Sequence, residues 1–445
     1  MEKQLSLNPG TYYRLYDNEC YVWNTRTKRQ FIFNHIVFYL LNLIEKSEPI
    51  ECDLLIEKFF QICEGDRREI REAVFSFVDE LCKEKIIKIQ YPDEKSIDFD
   101  RVVVEKLSKK RILFSVLFEL TYNCNEKCQH CYVDTPYREH FKELSTDDVK
   151  LVIDNLYRAN VAEITFSGGE IFTRKDSVEI IEYATRKGFL VNIFSNGTLL
   201  TPDMILRLSK CNIRSFQSSI YGSTAKVHDT ITKINGSFEK TKEVLEMFST
   251  LGVSTCIKTT MMKNNVMDYA ELIKLANSIG SQIQIGLSLR PTMLKQTENA
   301  KYRISNGELE KICLEEIKRF GVDDNEEIVL ENSGLCHAGF SEISIDPYGD
   351  IYLCSGLPFI LGNATRDEIK DIWEKSEDIA NWRKKTLADV KCMNDCEYAS
   401  DCNYCPAQAY LETGNCFDKY EEACNIAKAQ RKAEEVYQHG KKDGI

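Results

Sequence analysis

Residues 112–132 read ILFSVLFELTYNCNEKCQHCY, a largely apolar run followed by Cys124, Cys128 and Cys131 in the spacing C-x3-C-x2-C. The run has the β-branched and aromatic content of a buried strand, so the cysteines occupy the loop at its C-terminal end. Three is an awkward number of thiols. A structural zinc site takes four ligands, a disulfide two and a nucleophile one. A four-iron cubane that only carries electrons takes a thiolate at each iron, whereas one held at three corners leaves an iron open to a substrate or cosubstrate. The same loop also suits a zinc knuckle that borrows a fourth ligand from His130 or from elsewhere.

The strand is the first of a series. EITF (163–166), LVNIFS (190–195), RSFQSSI (214–220), STCIKTTM (254–261) and QIQIGLSL (282–289) repeat the pattern, with amphipathic stretches between them. Over 146–159, Val149, Val152, Ile153 and Leu156 recur at helical spacing behind an N-cap at Ser145. Thr201 before Pro202 and Ser237 after Gly236 mark further helix starts. Repeated βα units predict an α/β fold of six parallel strands with right-handed crossovers, closed into a barrel or wound into an open sheet. NCNEKCQHCY, SGGE, NGT, YGS, KNN and RPT follow the six strands in order. All the polar signatures therefore emerge on one face, where barrels of this kind hold their ligands.

The chain has 445 residues, 43% of them hydrophobic, with 70 Asp+Glu against 58 Lys+Arg. That balance predicts a soluble protein with room for two or three cores. No apolar run is long enough to span a bilayer and no signal core opens the chain, which predicts a cytoplasmic protein without a membrane partner. In a reducing compartment, clustered cysteines among the 18 point to metal or iron–sulfur ligation. Cys20, Cys52, Cys63, Cys82, Cys211, Cys256 and Cys313 are scattered singly and read as small buried apolar residues. Beyond the first triplet, Cys336, Cys354, Cys392, Cys396, Cys402, Cys405, Cys416 and Cys424 form a C-terminal group.

The first hundred residues differ in kind. Alternating aromatics over 11–34 predict two or three antiparallel strands, with helices near 35–46, 51–62 and 67–84, an order that suggests a winged-helix module. Residues 1–100 carry 14 Lys+Arg and 19 Asp+Glu, a net of −5. An acidic module repels phosphate, so nucleic acid is not an expected partner, and a peptide added along a strand edge is the better fit. The charged stretch 91–111 reads as a linker.

CNEKCQHCY after the first strand and SGGE after the second resemble the radical S-adenosylmethionine (SAM) superfamily. The resemblance implies a partial (β/α)6 TIM-like barrel and a cluster held by Cys124, Cys128 and Cys131, whose unique iron chelates SAM. It assigns Gly168, Gly169 and Glu170 to the methionine amine, Ser195 and Asn196 to the ribose, and His130, with Tyr132 adjacent, to the adenine. Ile171 stands where that family often has Pro. The C-terminal cysteines resemble the SPASM extension, with Cys336, Gly349 and Cys354 at the family spacing and the outer spacings of Cys392, Cys396, Cys402 and Cys405 transposed. By that analogy Cys392, Cys396, Cys402 and Cys424 close one auxiliary cluster, and Cys336, Cys354 and Cys405 hold another, either left open or completed by Cys416. The resemblance thus implies three 4Fe-4S clusters with SAM.

The N-terminal module resembles the recognition element of enzymes that modify ribosomally made peptides (RiPP maturases). The implied domains are 1–105 for leader recognition, 106–320 for the barrel and 321–445 for the auxiliary clusters and a C-terminal helix. The implied function is hydrogen abstraction from a precursor peptide and formation of a Cys thioether, as in sactipeptide or ranthipeptide maturation, with flavodoxin or ferredoxin as reductase. No residue is marked by spacing as a catalytic base. Carbon–carbon cross-linking, epimerisation and sulfatase maturation use the same motifs, and a zinc-binding winged-helix regulator is the non-enzymatic alternative.

Overall fold

The computed structural model describes residues 4–5, 7–8, 10–25, 27–46, 50–61, 66–87, 106–133, 142–211, 213–321, 330 and 334–442. Contacts divide the chain into two compact units, one built mainly from residues 1–112 and the other mainly from 113–445.

The first unit runs β1 (Gln4–Leu5), β2 (Thr11–Tyr16), β3 (Glu19–Asn24), β4 (Arg29–Asn34), α1 (His35–Lys46), β5 (Ile50–Glu51), α2 (Cys52–Phe60) and α3 (Arg67–Lys83). β2, β3 and β4 form an antiparallel sheet, and β1 pairs with β5. Asp17 and Asn18 join β2 to β3 with φ of 44° and 61°, the two left-handed positions of a type I′ hairpin. Val37, Leu40, Leu41 and Ile44 turn one face of α1 onto Cys20 and Val22 of β3 and onto Val74 and Leu81 of α3. Asp66 caps α3 by accepting from the N–H groups of Arg68 and Glu69. Three strands followed by three helices match the order expected from the sequence. Lys106 pairs with Glu19 at 2.9 Å and Lys110 with Asp17 at 3.1 Å, so the end of the expected linker belongs with this unit. The rest of that linker, 91–105, lies outside the described residues, as do Cys63 and much of 322–333.

In the second unit, β6 (Ser115–Thr121), β7 (Glu163–Gly168), β8 (Leu190–Phe194), β9 (Ser215–Ser219), β10 (Thr255–Thr260) and β11 (Gln282–Gly286) are the six expected strands. The sheet order β11-β10-β9-β8-β7-β6-β12-β13-β14 does not close, so the body is a partial barrel. Helices α4 (Thr146–Arg158), α5 (Ser177–Arg186), α6 (Pro202–Lys210), α7 (Ala225–Thr232), α8 (Ser237–Thr250), α9 (Tyr269–Ser278) and α10 (Asn306–Phe320) alternate with them. Ser145 caps α4 in a reciprocal capping box with Asp148, and Thr201 caps α6 ahead of Pro202. α8 begins at Ser237 as expected, with Gly236 at φ 84° as its N-cap, and the Asp229 carboxylate takes the N–H groups of Gly236 and Phe238.

The auxiliary region contributes what the cysteine pattern did not announce. β12 (Glu342–Ile345) lies parallel to β6, and β13 (Asp350–Tyr352) and β14 (Ile360–Asn363) continue the sheet antiparallel. The chain then forms α11 (Ile369–Lys375), α12 (Glu377–Trp382), α13 (Pro406–Thr413) and α14 (Glu421–Lys442). α10 and α14 pack together.

Successive strand residues alternate faces. Val116, Phe118, Ile164, Phe166, Ile193, Phe216 and Ile257 are fully buried on one side. The opposite face carries Glu119, Ser167, Asn192, Gln217, Lys258 and Gln284, aligned by the registers Glu119↔Ser167, Asn192↔Ser215, Phe194↔Gln217 and Lys258↔Gln284. The inner face of a closed barrel is filled with branched apolar side chains. Here it is polar, as a lumen that receives a polar ligand requires.

Candidate active site

Each polar signature begins where its strand ends, so the C-terminal rim gathers them as expected. The cysteine loop leaves β6 and docks on the end of α7, with Lys127 N–H donating to Thr232 O (3.1 Å) and Gln129 N–H to Ile231 O (3.0 Å). Cys128 packs against an apolar wall of Tyr221, Ile231, Met262 and Leu289. Burial pushes the Cys128 thiol well above its ordinary range, and the neighbouring Glu126, Cys131 and Cys124 push the same way. Three reduced thiols thus face one another on one loop against a dry wall. Among the described residues no three His, Cys, Asp or Glu side chains converge as the ligands of a single ion would. The corners of a cubane lie further apart, and the donor set fits one.

Gly168 and Gly169 have a structural reason of their own. A Cβ on Gly168 would stand 2.2 Å from Thr121 O, and one on Gly169 would stand 2.4 Å from Asn123 O. Their absence lets Gly169 N–H reach Thr121 O and Glu170 N–H reach Asn123 O, both at 2.8 Å, which zips the SGGE strip to the start of the cysteine loop. The Glu170 carboxylate is buried and committed within the chain. It accepts from Phe172 N–H (2.9 Å), the Ser195 hydroxyl (2.9 Å) and Asn196 N–H (2.7 Å). Burial raises its pKa to about 7 against the pull of those donors. Ser195 also accepts from Gly197 N–H (2.9 Å), while the Asn196 amide donates to Asn125 Oδ1 (2.9 Å) and accepts from Thr198. SGGE, SNGT and the cysteine loop therefore form one hydrogen-bonded brace.

His130 meets the ring of Tyr221 edge-on at 4.5 Å. Its Nδ1 is buried with no hydrogen-bond partner among the described residues, and burial holds the imidazole neutral with a pKa of about 4. An orphaned nitrogen beside the cysteine loop fits a ligand bound there. Tyr132 takes a different direction. Its hydroxyl donates to Glu119 Oε1 (2.5 Å), Tyr122 donates to Glu119 Oε2 (3.1 Å), and the Arg290 guanidinium lies 3.9 Å from the Tyr132 ring centre. Burial pushes the Glu119 carboxyl up, opposed by the two tyrosines and Arg290.

These groups line a cavity of about 310 Å³ whose other wall is auxiliary, including Asp346, Tyr352, Leu357 and Tyr410. Sequence patterns missed it, although Glu119 was visible as a lone acid inside an apolar strand. Deeper in the lumen, the Lys258 ammonium lies 3.9 Å from the Phe194 ring centre, and burial lowers its pKa.

The auxiliary cysteines separate into two sets. Cys392, Cys396, Cys402 and Cys424 sense one another's charge, and Cys405 acts on Cys336 and Cys354. Cys416 is buried and feels Cys405 and Lys295. Cys405 caps α13, its sulfur accepting from Gln408 N–H at 3.5 Å. Arg303 ties the barrel to both helices of this region, pairing with Glu412 (2.6 Å) and Glu422 (2.9 Å).

Comparison with known proteins agrees with this geometry. Residues 118–276 match the radical SAM superfamily model, and residues 336–406 match the SPASM iron-sulfur cluster-binding domain. An AdoMet-dependent heme synthase from Methanosarcina barkeri is 28% identical over 332 residues, covering 67% of this chain and 93% of that protein. The mycofactocin maturase MftC of Mycolicibacterium smegmatis is 29% identical over 279 residues, 58% of this chain and 70% of that protein. The solved structure of Streptococcus suis SuiB bound to its precursor peptide SuiA superposes with a TM-score of 0.65 at 15% identity, covering 94% of this chain and 99% of that one. The chain is therefore a radical SAM enzyme with a C-terminal SPASM domain, and its cofactors are SAM, a 4Fe-4S cluster in the barrel and auxiliary iron–sulfur clusters.

Proposed function

We propose that this enzyme is a peptide maturase that abstracts hydrogen from a carbon of a ribosomally made precursor and joins that carbon to a Cys sulfur. The observation that carries the reading is the first unit, a three-stranded antiparallel sheet followed by three helices. Among the described residues β2 and β4 pair on one side only, so each offers backbone donors and acceptors to an added peptide strand. The fold likeness to SuiB spans nearly the whole chain, whereas the heme synthase likeness leaves a third of it unmatched.

Cys124, Cys128 and Cys131 hold the SAM cluster in this reading. Cys392, Cys396, Cys402 and Cys424 hold one auxiliary cluster, and Cys336, Cys354 and Cys405 hold the other, with Cys416 at hand beside Cys405. When bound, the barrel cluster supplies the electron that splits SAM into methionine and a 5′-deoxyadenosyl radical. The chain's task is to position and to exclude water. The glycine strip and the Glu170 brace fix the loop, the Tyr221–Met262 wall keeps it dry, and the buried neutral His130 offers Nδ1 to the nucleoside. The Tyr132–Glu119–Tyr122 group forms a hydrogen-bonded wall of the cavity.

Mass spectrometry of a small Cys-containing precursor peptide, after anaerobic reaction with SAM and reductant, tests this function. The expected product lacks a hydrogen pair and has one Cys that no longer alkylates, and a product whose cysteines all still alkylate refutes the thioether. The heme synthase likeness favours a second reading, in which a tetrapyrrole is the substrate. Turnover of an iron tetrapyrrole, with the peptide untouched, would establish it.

A further inference from the structure

The cavity between β6 and the auxiliary region has a charge pattern that peptide cross-linking alone does not use. Arg290 and Lys295 both line it. Among the described residues neither pairs with a carboxylate; Arg290 lies over Tyr132, and the Lys295 ammonium lies 3.9 Å from the ring centre of Tyr410. A ring face compensates a cation only weakly beside what a carboxylate does.

The acids of the same cavity are spoken for. Glu119 accepts from Tyr132 and Tyr122, and Asp346 accepts from the N–H groups of Tyr348 and Asp350 (both 2.9 Å) and from the Tyr352 hydroxyl (3.3 Å). Burial pushes both carboxyls up, Asp346 to about 7, while the Arg290 charge pulls Glu119 the other way.

Lys295, one of several left-handed lysines among the described residues, closes a tight turn. Its φ of 61° is left-handed, a conformation that a glycine would adopt with less strain. The turn is closed by Lys295 N–H to Thr292 O (2.9 Å) and Thr292 N–H to Gln296 O (3.1 Å), and Met293 N–H anchors it to Tyr132 O (2.9 Å). The turn thus fixes the backbone of Lys295 next to Tyr132. Leu357 and Leu411 add an apolar part to the wall, and Phe359 (45% exposed) and Ile360 (56% exposed) lead from there into β14.

We propose that this cavity takes a carboxylate of the substrate, next to an apolar side chain, and that Arg290 and Lys295 grip it. The source of that carboxylate rests on the peptide reading: it is the C-terminus of the precursor or an Asp or Glu side chain within it. Arg290 also reaches the loop of Cys354 and Gly356, and Lys295 acts on Cys416, so the absorption of the auxiliary clusters is read alongside binding for both variants.

The test measures binding of small probes to the anaerobic holoenzyme by saturation-transfer NMR. N-acetyl-leucine is compared with its primary amide, and N-acetyl-aspartate α-amide with the asparagine equivalent. At least one acid should bind about tenfold more tightly than its amide. Lys295→Met and Arg290→Gln should each reduce that ratio to about twofold or less, and Lys295→Arg should restore it. Iron content and thermal midpoint establish that each variant is folded, and Lys295, exposed on its turn, keeps the test valid if Arg290→Gln is damaged. Equal binding of acids and amides, or a ratio that survives Lys295→Met, overturns the proposal. An Arg290→Gln effect confined to the absorption of the auxiliary cluster overturns the grip assigned to Arg290. Binding of coproporphyrin that depends on both cations, with no binding of either amino-acid probe, would keep the carboxylate site and remove the peptide reading.

Discussion

Glu170→Gln isolates the brace that ties the second strand end to the third. In the native chain the carboxylate takes Phe172 N–H, Asn196 N–H and the Ser195 hydroxyl between 2.7 and 2.9 Å. Glutamine keeps one acceptor oxygen and turns an NH2 toward the remaining donors, so at least one bond to a charged acceptor is lost. Such bonds contribute about 1.5–3 kcal/mol, more when a buried donor is left unsatisfied. At about 1.4 kcal/mol per decade, opening of the 195–197 turn becomes about 10- to 150-fold more frequent. Hydrogen–deuterium exchange read by mass spectrometry gives this directly, with β10 as the internal control. The measurement belongs near about pH 8, where the carboxylate is ionised even with a pKa raised to about 7. Unchanged protection of 195–197 in a folded variant would refute the brace. It would return Glu170 to a role as direct ligand of the methionine amine.

Further outcomes follow from the same structure. Cys128→Ala should lose about four irons per chain and produce no 5′-deoxyadenosine, whereas Cys402→Ala should lose a similar amount yet still cleave SAM; the opposite pattern would exchange the two assignments. Glu422→Gln, at the buried junction with Arg303, Leu289 N–H and Ser288, should lower the thermal midpoint by an amount equivalent to about 1.5–3 kcal/mol, and an unchanged midpoint would refute the coupling of barrel and C-terminal helix. Glu170 and Asp346, both raised to about 7, hold protons in the folded state that the unfolded chain releases near its ordinary carboxyl range. Their contribution is complete at acid pH and is lost as pH climbs toward about 7, so the unfolding midpoint should fall across that window, and Glu170→Gln should flatten the fall.

Much of this was legible in the sequence because periodicity and spacing carry the same information as the fold. The six strands begin and end within a few residues of their predicted limits, since a strand buried on its helix side needs an apolar residue at every second position. The order of strands and helices in the first unit was equally visible. The strands β12–β14 were not legible from cysteine spacing, although EISIDPYGDIYL alternates apolar and polar residues about a Pro-Tyr-Gly-Asp turn. The brace and the cavity were illegible for another reason. Glu170, Ser195 and Asn196 were assigned by family position, and sequence cannot reveal that their hydrogen bonds are spent on one another. Arg290, Lys295 and Asp346 come from separate segments that only the tertiary fold brings to one cavity, and no local pattern marks them. Glu119 alone had a signal, a charge in the middle of an apolar strand.

The central claim is that a peptide carbon surrenders its hydrogen at the C-terminal rim of this barrel. A precursor peptide deuterated at the α-carbon of the modified residue tests it most directly when incubated with holoenzyme, SAM and reductant. Deuterium should leave the product and appear in 5′-deoxyadenosine. Product formed while 5′-deoxyadenosine carries only unlabelled hydrogen, whichever carbon bears the label, would contradict the account.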